Sequence, residues 1–128
     1  MSLQTQHKLG LALGSGGWRG LAHIGVIKSL VKHGFSIDAI AGASAGSLIG
    51  GMYALWNDID RVEQLFTSLK YQDMLFAFSD PSIKLGLFKN RKVITLFEKY
   101  IGKSTFSDLQ IPFVAIGTDI ISGEPITL

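Results

Sequence analysis

Two glycine-rich turns hold the residues best suited to chemistry. The first is Gly42-Ala43-Ser44-Ala45-Gly46, a G-x-S-x-G between a short apolar run and a helical pattern. A serine on a strand–turn–helix projects its hydroxyl from the carboxyl end of the strand, and the following helix aims its positive end at it. Glycines at 42 and 46 suit that geometry, because a larger side chain at either place would meet neighbouring backbone. The five-residue pattern also occurs as a packing turn without chemistry, and the strand–turn–helix setting is what favours a nucleophile. The second turn is Gly14-Ser15-Gly16-Gly17-Trp18-Arg19-Gly20. Amides freed by glycines at a helix start form an anion site, for a phosphate, a dinucleotide pyrophosphate or a tetrahedral oxyanion. No Gly-Lys-Ser/Thr follows, which excludes a P-loop. The glycines at 14, 16 and 20 miss the G-x-G-x-x-G spacing by one residue, and Asp38 precedes the second strand instead of following it, so a dinucleotide fits poorly. An oxyanion hole fits well, since acyl transfer needs N–H donors converging on one oxygen, each worth about 3 kcal/mol in the transition state. Gly16 and Gly17 are the expected donors, with the Ala45 amide as a third. Arg19 either adds positive charge or pairs locally.

The elements that must position these turns follow from periodicity. Lys8 to Leu13 reads as a strand, Leu21 to His33 as a helix stopped by Gly34, and Ile37 to Ala41 as a buried parallel strand. Helices are expected over Ala45 to Trp56, Ile59 to Leu69 and Arg91 to Ile101, a further strand over Pro112 to Gly117, and a turn at 122–125 leading into Ile126 to Leu128. This alternation predicts an α/β fold with a mainly parallel sheet and right-handed crossovers. Both glycine turns then sit at the carboxyl ends of adjacent strands. A glycine anion loop beside a serine elbow is the arrangement of an acyl-transfer site. Three or four strands leave one face of the sheet partly uncovered, and the strand-like end at Leu128 reads as cut rather than finished.

Composition narrows the class. The chain has 128 residues, 47% hydrophobic and 17% charged, with a formal net charge of +2. Low charge and high hydrophobicity exclude disorder, and the length suits one domain. No Lys/Arg run exceeds Arg91-Lys92, so nucleic acid is not an expected partner. Cysteine is absent, which excludes disulfides, thiolate metal sites and a Cys nucleophile. Residues 39–57 carry no charge, and Gly42, Gly46 and Gly50 recur every four residues, as in paired membrane helices. The segment is too rich in Gly, Ala and Ser to insert readily, and Asp38 and Asp58 bound it, so a soluble strand, turn and buried helix explain it better. The polar N-terminus and the short apolar run after it make no signal peptide, so a cytoplasmic location is the default.

The stretch Leu13-Gly14-Ser15-Gly16-Gly17-Trp18-Arg19-Gly20-Leu21-Ala22-His23-Ile24-Gly25-Val26, followed by Gly42-Ala43-Ser44-Ala45-Gly46, resembles the patatin-like phospholipases, in particular their small bacterial members. The resemblance continues through Lys84-Leu85-Gly86-Leu87-Phe88, Ile111-Pro112-Phe113 and Thr118-Asp119-Ile120-Ile121-Ser122-Gly123-Glu124. It implies a three-layer α/β/α fold and a serine lipid acyl hydrolase working through a Ser–Asp dyad without a catalytic His or a cofactor. Ser44 would be the nucleophile, with Gly16, Gly17 and nearby amides as the oxyanion hole. A lipid or ester would be the substrate, with peripheral contact to a membrane. Ser15 departs from the run of three glycines often found in the family, though its amide is retained. The family's aspartate lies in an Asp-Gly-Gly or Asp-Gly-Ala motif, and none of the seven Asp here precedes Gly. The resemblance therefore implies a base beyond Leu128 and a single patatin-like domain over residues 1–128, incomplete at its C-terminus.

Other candidates are weaker. Asp119 follows a strand end on the correct edge, but a loop-capping role is the ordinary reading. His23 lies a helical turn beyond Arg19 and reads as a structural histidine, while His7 and His33 read as solvent residues. No spacing of His, Asp and Glu suggests a metal. The irregular apolar segment containing Met74, Leu75, Phe76, Phe78, Leu85, Leu87 and Phe88 suits a lid or acyl-chain wall as well as ordinary core. Two further readings stand beside the hydrolase: a non-catalytic anion- or nucleotide-binding domain using the Gly14–Gly20 loop, and a fragment that self-associates through an incomplete sheet edge.

Overall fold

In the computed structural model, residues 8–70 and 91–128 are described. The apolar segment 71–90, with its expected lid or acyl-chain wall, lies outside them. The described chain folds as β1 (Gly10–Leu13), a 3-10 turn (Gly17–Leu21), α1 (Ala22–Lys32), β2 (Ala39–Ala43), α2 (Ala45–Trp56), α3 (Ile59–Ser68), α4 (Arg91–Ile101), a second 3-10 turn (Phe106–Asp108), β3 (Phe113–Thr118) and β4 (Pro125–Thr127). The four strands form one sheet in the order β1-β2-β3-β4. β1, β2 and β3 are parallel, and β4 returns antiparallel through a hairpin with Gly123 at φ 77°. The α/β class and mainly parallel sheet expected from the alternation of elements are what the chain adopts.

The register puts the two glycine turns side by side. Leu13 pairs with Gly42, and Ala43 pairs with Ile116, so β1, β2 and β3 all deliver their carboxyl ends to one edge. Neighbouring strands lie about 4.8 Å apart, so the residues after Leu13 and after Gly42 leave the sheet as neighbours. At the amino edge, Asp38 locks β1 to β2: its carboxylate accepts from the Leu9 amide at 2.7 Å, and its own amide donates to the Leu9 carbonyl at 2.8 Å. Asp38 therefore sits at the end of the sheet away from both turns, and it is no ribose ligand for the Gly14–Gly20 loop.

The core lies between the sheet and the helices. Leu13 and Ile40 are buried on that face with Ile27, Ile49, Met52, Val62, Leu65 and Phe66. The Gly-every-four pattern that imitates a membrane helix belongs to this packing. A Cβ at Gly50 would stand 2.9 Å from Ile40 Cγ2 and 3.0 Å from Leu13 Cδ1, so the spacing brings α2 flat onto β1 and β2. Among the described residues no helix is long and apolar enough to cross a membrane. Asp58 caps α3 by accepting from the Arg61 amide at 3.0 Å, and Lys28 of α1 pairs with Asp60 and Glu63 of α3. The opposite face presents Ala12 and Ala39 with Val114 and Ile116, all exposed among the described residues. Parallel sheets ordinarily have both faces covered.

Candidate active site

β2 runs through Gly42 to Ala43, and the chain reverses at Ser44. Ser44 has φ 52° and ψ −119°, a conformation that costs about 1–3 kcal/mol for a residue with a side chain. It stands at the N-cap of α2 yet its side chain makes no capping bond, and the residue is exposed. Its carbonyl accepts from the Ser47 amide at 2.9 Å and the Leu48 amide at 3.2 Å, which starts the helix. The amides of Ala45 and Gly46 belong to the first turn, where no intrahelical acceptor exists. They face the same edge as the serine, with the positive end of α2 behind them.

Neighbouring backbone leaves no room for side chains here. A Cβ at Gly42 would lie 2.5 Å from the Gly46 carbonyl oxygen and 2.7 Å from the Ser47 amide nitrogen. A Cβ at Gly46 would overlap the Leu13 carbonyl and lie 2.8 Å from the Gly14 carbonyl oxygen. The end of β1 is thereby pressed against the first turn of α2. A Cβ at Gly20 would overlap that of Ala45, so the 3-10 turn of the glycine loop rests on the residue after Ser44. Of the expected oxyanion donors, Gly16 is the N-cap of that 3-10 turn and Gly17, with φ 54°, is its first residue. The loop Gly14–Gly20 and the elbow Gly42–Gly46 are thus brought together by close backbone approach.

Two side chains hold this arrangement. His23 Nε2 donates to the Gly14 carbonyl at 2.9 Å, tying the first helix back to the start of the loop. The histidine is a fastener of the glycine loop. Ser47 Oγ donates to the Gly42 carbonyl at 2.6 Å and closes the elbow from inside the helix. Sequence reasoning missed Ser47, although a serine three residues after the nucleophile position, in the first helical turn, is a signal for such a clasp. Arg19 is exposed, its guanidinium 5.6 Å from the centre of the neighbouring Trp18 ring. Ser15 is exposed within the loop.

Asp119 reaches the same sheet edge from β3, but its carboxylate is engaged. It accepts from the Ile121 amide at 2.8 Å and the Ser122 amide at 3.3 Å, and these bonds hold its pKa below the usual carboxylate value. It builds the β3–β4 turn, the ordinary reading of that residue. Among the described residues no group of three or more His, Asp and Glu could hold a metal.

A sequence profile of patatin-like phospholipases matches residues 11–125. The chain belongs to the patatin-like phospholipase family. It is 37% identical over 120 residues to an "uncharacterized NTE family protein" of Mycobacterium tuberculosis, covering 93% of this chain and 33% of that protein. It is 36% identical over 129 residues to a "patatin-like phospholipase domain-containing protein" of Caenorhabditis elegans, covering 94% of this chain and 9% of that one. A "neuropathy target esterase" of Drosophila grimshawi is 33% identical over 119 residues, covering 91% and 8%. The chain thus spans about a third of the length of its mycobacterial relatives.

Proposed function

We propose that this domain is a serine acyl hydrolase of lipid or ester substrates, with Ser44 as nucleophile. The observation that carries the reading is Ser44 itself, held in a strained backbone at the head of α2 with the glycine loop packed against it. In the reaction, Ser44 Oγ attacks the ester carbonyl carbon and gives its proton to a base. The oxyanion receives the amides of Gly16, Gly17 and Ala45. The tetrahedral intermediate expels the alcohol, which takes the proton, and water then releases the acid from the acyl-enzyme. The base proposed is an aspartate outside residues 1–128, because Asp119 is committed to its turn and no Asp precedes Gly. Residues 1–128 would then be the nucleophile-bearing part of a patatin-like domain whose dyad is completed by further sequence.

An exposed apolar edge supports the substrate class. Trp18 of the glycine loop is 58% exposed, and Ile120 and Ile121 of the β3–β4 turn are 81% and 94% exposed. All three leave the sheet at the carboxyl edge, where Ser44 stands, as peripheral contact with a bilayer would require. The test is hydrolysis of a short-chain p-nitrophenyl ester and of a lysophospholipid by a chain carrying the completed dyad. Turnover that disappears in Ser44→Ala supports the reading. Turnover unchanged in Ser44→Ala, or anion binding by the loop with no hydrolysis at all, opposes it.

A further inference from the structure

Among the described residues, a hollow of about 850 Å³ lies at the amino edge of the sheet around Gly10, Ala39 and Pro112, away from Ser44. A smaller cavity of about 190 Å³ follows α2 itself. Its α2 wall is Ser47, Leu48, Gly51, Met52 and Leu55, faced across the hollow by Phe97 of α4 and Phe113 of β3. At a helical repeat of about 100° per residue, Ser47, Leu48, Gly51 and Leu55 continue the face that Ser44 heads. Ser47, at one end of the cavity, is a single turn beyond Ser44, about 5 Å along the axis.

The polar side chains lining this cavity are already used. Ser47 Oγ donates to the Gly42 carbonyl at 2.6 Å, Ser104 Oγ to the Ile101 carbonyl at 2.6 Å, and Thr105 Oγ1 to the Asp108 carboxylate at 2.9 Å. Among the described residues the lining is otherwise apolar, carries no charge, and has each hydroxyl proton already donated, so the cavity suits a hydrocarbon better than a phosphate or a sugar. Its shape is set by a missing side chain. A Cβ at Gly51 would lie 3.5 Å from the Phe113 ring, ordinary contact, whereas one at the adjacent Gly50 would press into Ile40 and Leu13. Gly50 is needed for packing; Gly51 leaves space that no described residue fills.

We propose that this cavity receives the acyl chain of the substrate, entering from the Ser44 end and running down α2 past Gly51. The assignment rests on Ser44 being the nucleophile. A cavity of about 150 Å³ lined by apolar side chains holds six carbons as benzene, so 190 Å³ suits a chain of about six to eight carbons.

The test is calorimetric binding of linear carboxylates from butyrate to dodecanoate by the 128-residue chain. Each methylene fully buried raises affinity about fourfold, and the half-open site lowers that yield. Octanoate is expected to bind at least tenfold tighter than butyrate, with little gain beyond it. Gly51→Leu should abolish that tenfold advantage, with circular dichroism showing a folded chain. Gly51→Ala, which fits the space and improves helix propensity, should raise the melting temperature and move the plateau to a shorter chain. Affinity that climbs steadily through dodecanoate, or that ignores both substitutions in folded protein, overturns the cavity. Octanoate binding needs no reaction at Ser44. A chain that binds octanoate as described but never forms a Ser44 adduct with its dyad completed overturns the hydrolase reading and leaves the cavity standing.

Discussion

Gly46→Ala examines the contact that joins the glycine loop to the elbow. In an ordinary helix this change stabilises by about 1 kcal/mol, because alanine loses less backbone entropy than glycine. At position 46 the new methyl would overlap the Leu13 carbonyl and stand 2.5 Å from its carbon. Both obstacles are backbone atoms of the strand end, so no side-chain rotation relieves them. Overpacking of a well-filled interior costs about 1–3 kcal/mol, and rigid backbone puts this case at the upper end, leaving a net loss of roughly 2 kcal/mol. For a domain of this size the melting temperature should fall by about 5–10 °C. Gly25→Ala on α1 is the control. A Cβ there meets nothing within 4 Å, so it should raise stability by somewhat under 1 kcal/mol. Thermal and urea melts of the two variants against the parent decide the matter. Opposite signs are expected; Gly46→Ala melting at or above the parent would refute the close approach of β1 to α2, and with it the assembly of the loop on Ser44.

Other perturbations have equally definite outcomes. Ser44→Gly relieves about 1–3 kcal/mol of strain at φ 52° and loses somewhat under 1 kcal/mol to unfolded-chain entropy, so a net gain of about 1–2 kcal/mol is expected in urea denaturation. His23→Ala removes the bond to the Gly14 carbonyl and should lower stability by about 1 kcal/mol, with slower reaction at Ser44; urea melts and adduct kinetics read the two effects. Asp108 and Asp119 both titrate below the ordinary 3.8 in the folded chain, mainly because each accepts backbone amides. Their contribution to stability is therefore present above the unfolded value of 3.8 and lost as the pH falls through the lower folded values. Melting temperatures measured from pH 6 to about pH 2 should drop in that window, and Asp119→Asn should flatten part of the drop. Replacing Trp18, Ile120 and Ile121 together by Ser should weaken sedimentation with phosphatidylcholine vesicles while leaving the fold intact, because all three side chains are exposed.

The local parts of the fold were legible because their causes are local. The amphipathic stripe of Ile59, Val62, Leu65 and Phe66, capped by Asp58, gives α3 to within a residue, and Ala45–Trp56 was placed at its ends. The expected strand Ile37 to Ala41 lies two residues ahead of the observed β2, Ala39–Ala43. Its expected end at Ala41 treats Gly42 as a stop, whereas Gly42 is an extended residue bare of side chain because α2 folds back onto it. The chain from Gly17 to Leu21 is a 3-10 turn ahead of α1, tightened by the contact of Gly20 with Ala45, which no local pattern reports. For the candidate site, spacing alone singled out Ser44 and the glycine loop. The bonds from His23 to Gly14 and from Ser47 to Gly42, and the cavity beside Gly51, depend on tertiary contacts that no local sequence pattern carries.

Whether Ser44 is an assembled nucleophile is decided by intact-mass analysis after exposure to a fluorophosphonate, with Ser44→Ala as control. One adduct per chain is expected, on Ser44, formed slowly by residues 1–128 and faster once an aspartate is supplied by further sequence. An adduct that persists in Ser44→Ala, or none in a folded chain even after that extension, would contradict the assignment.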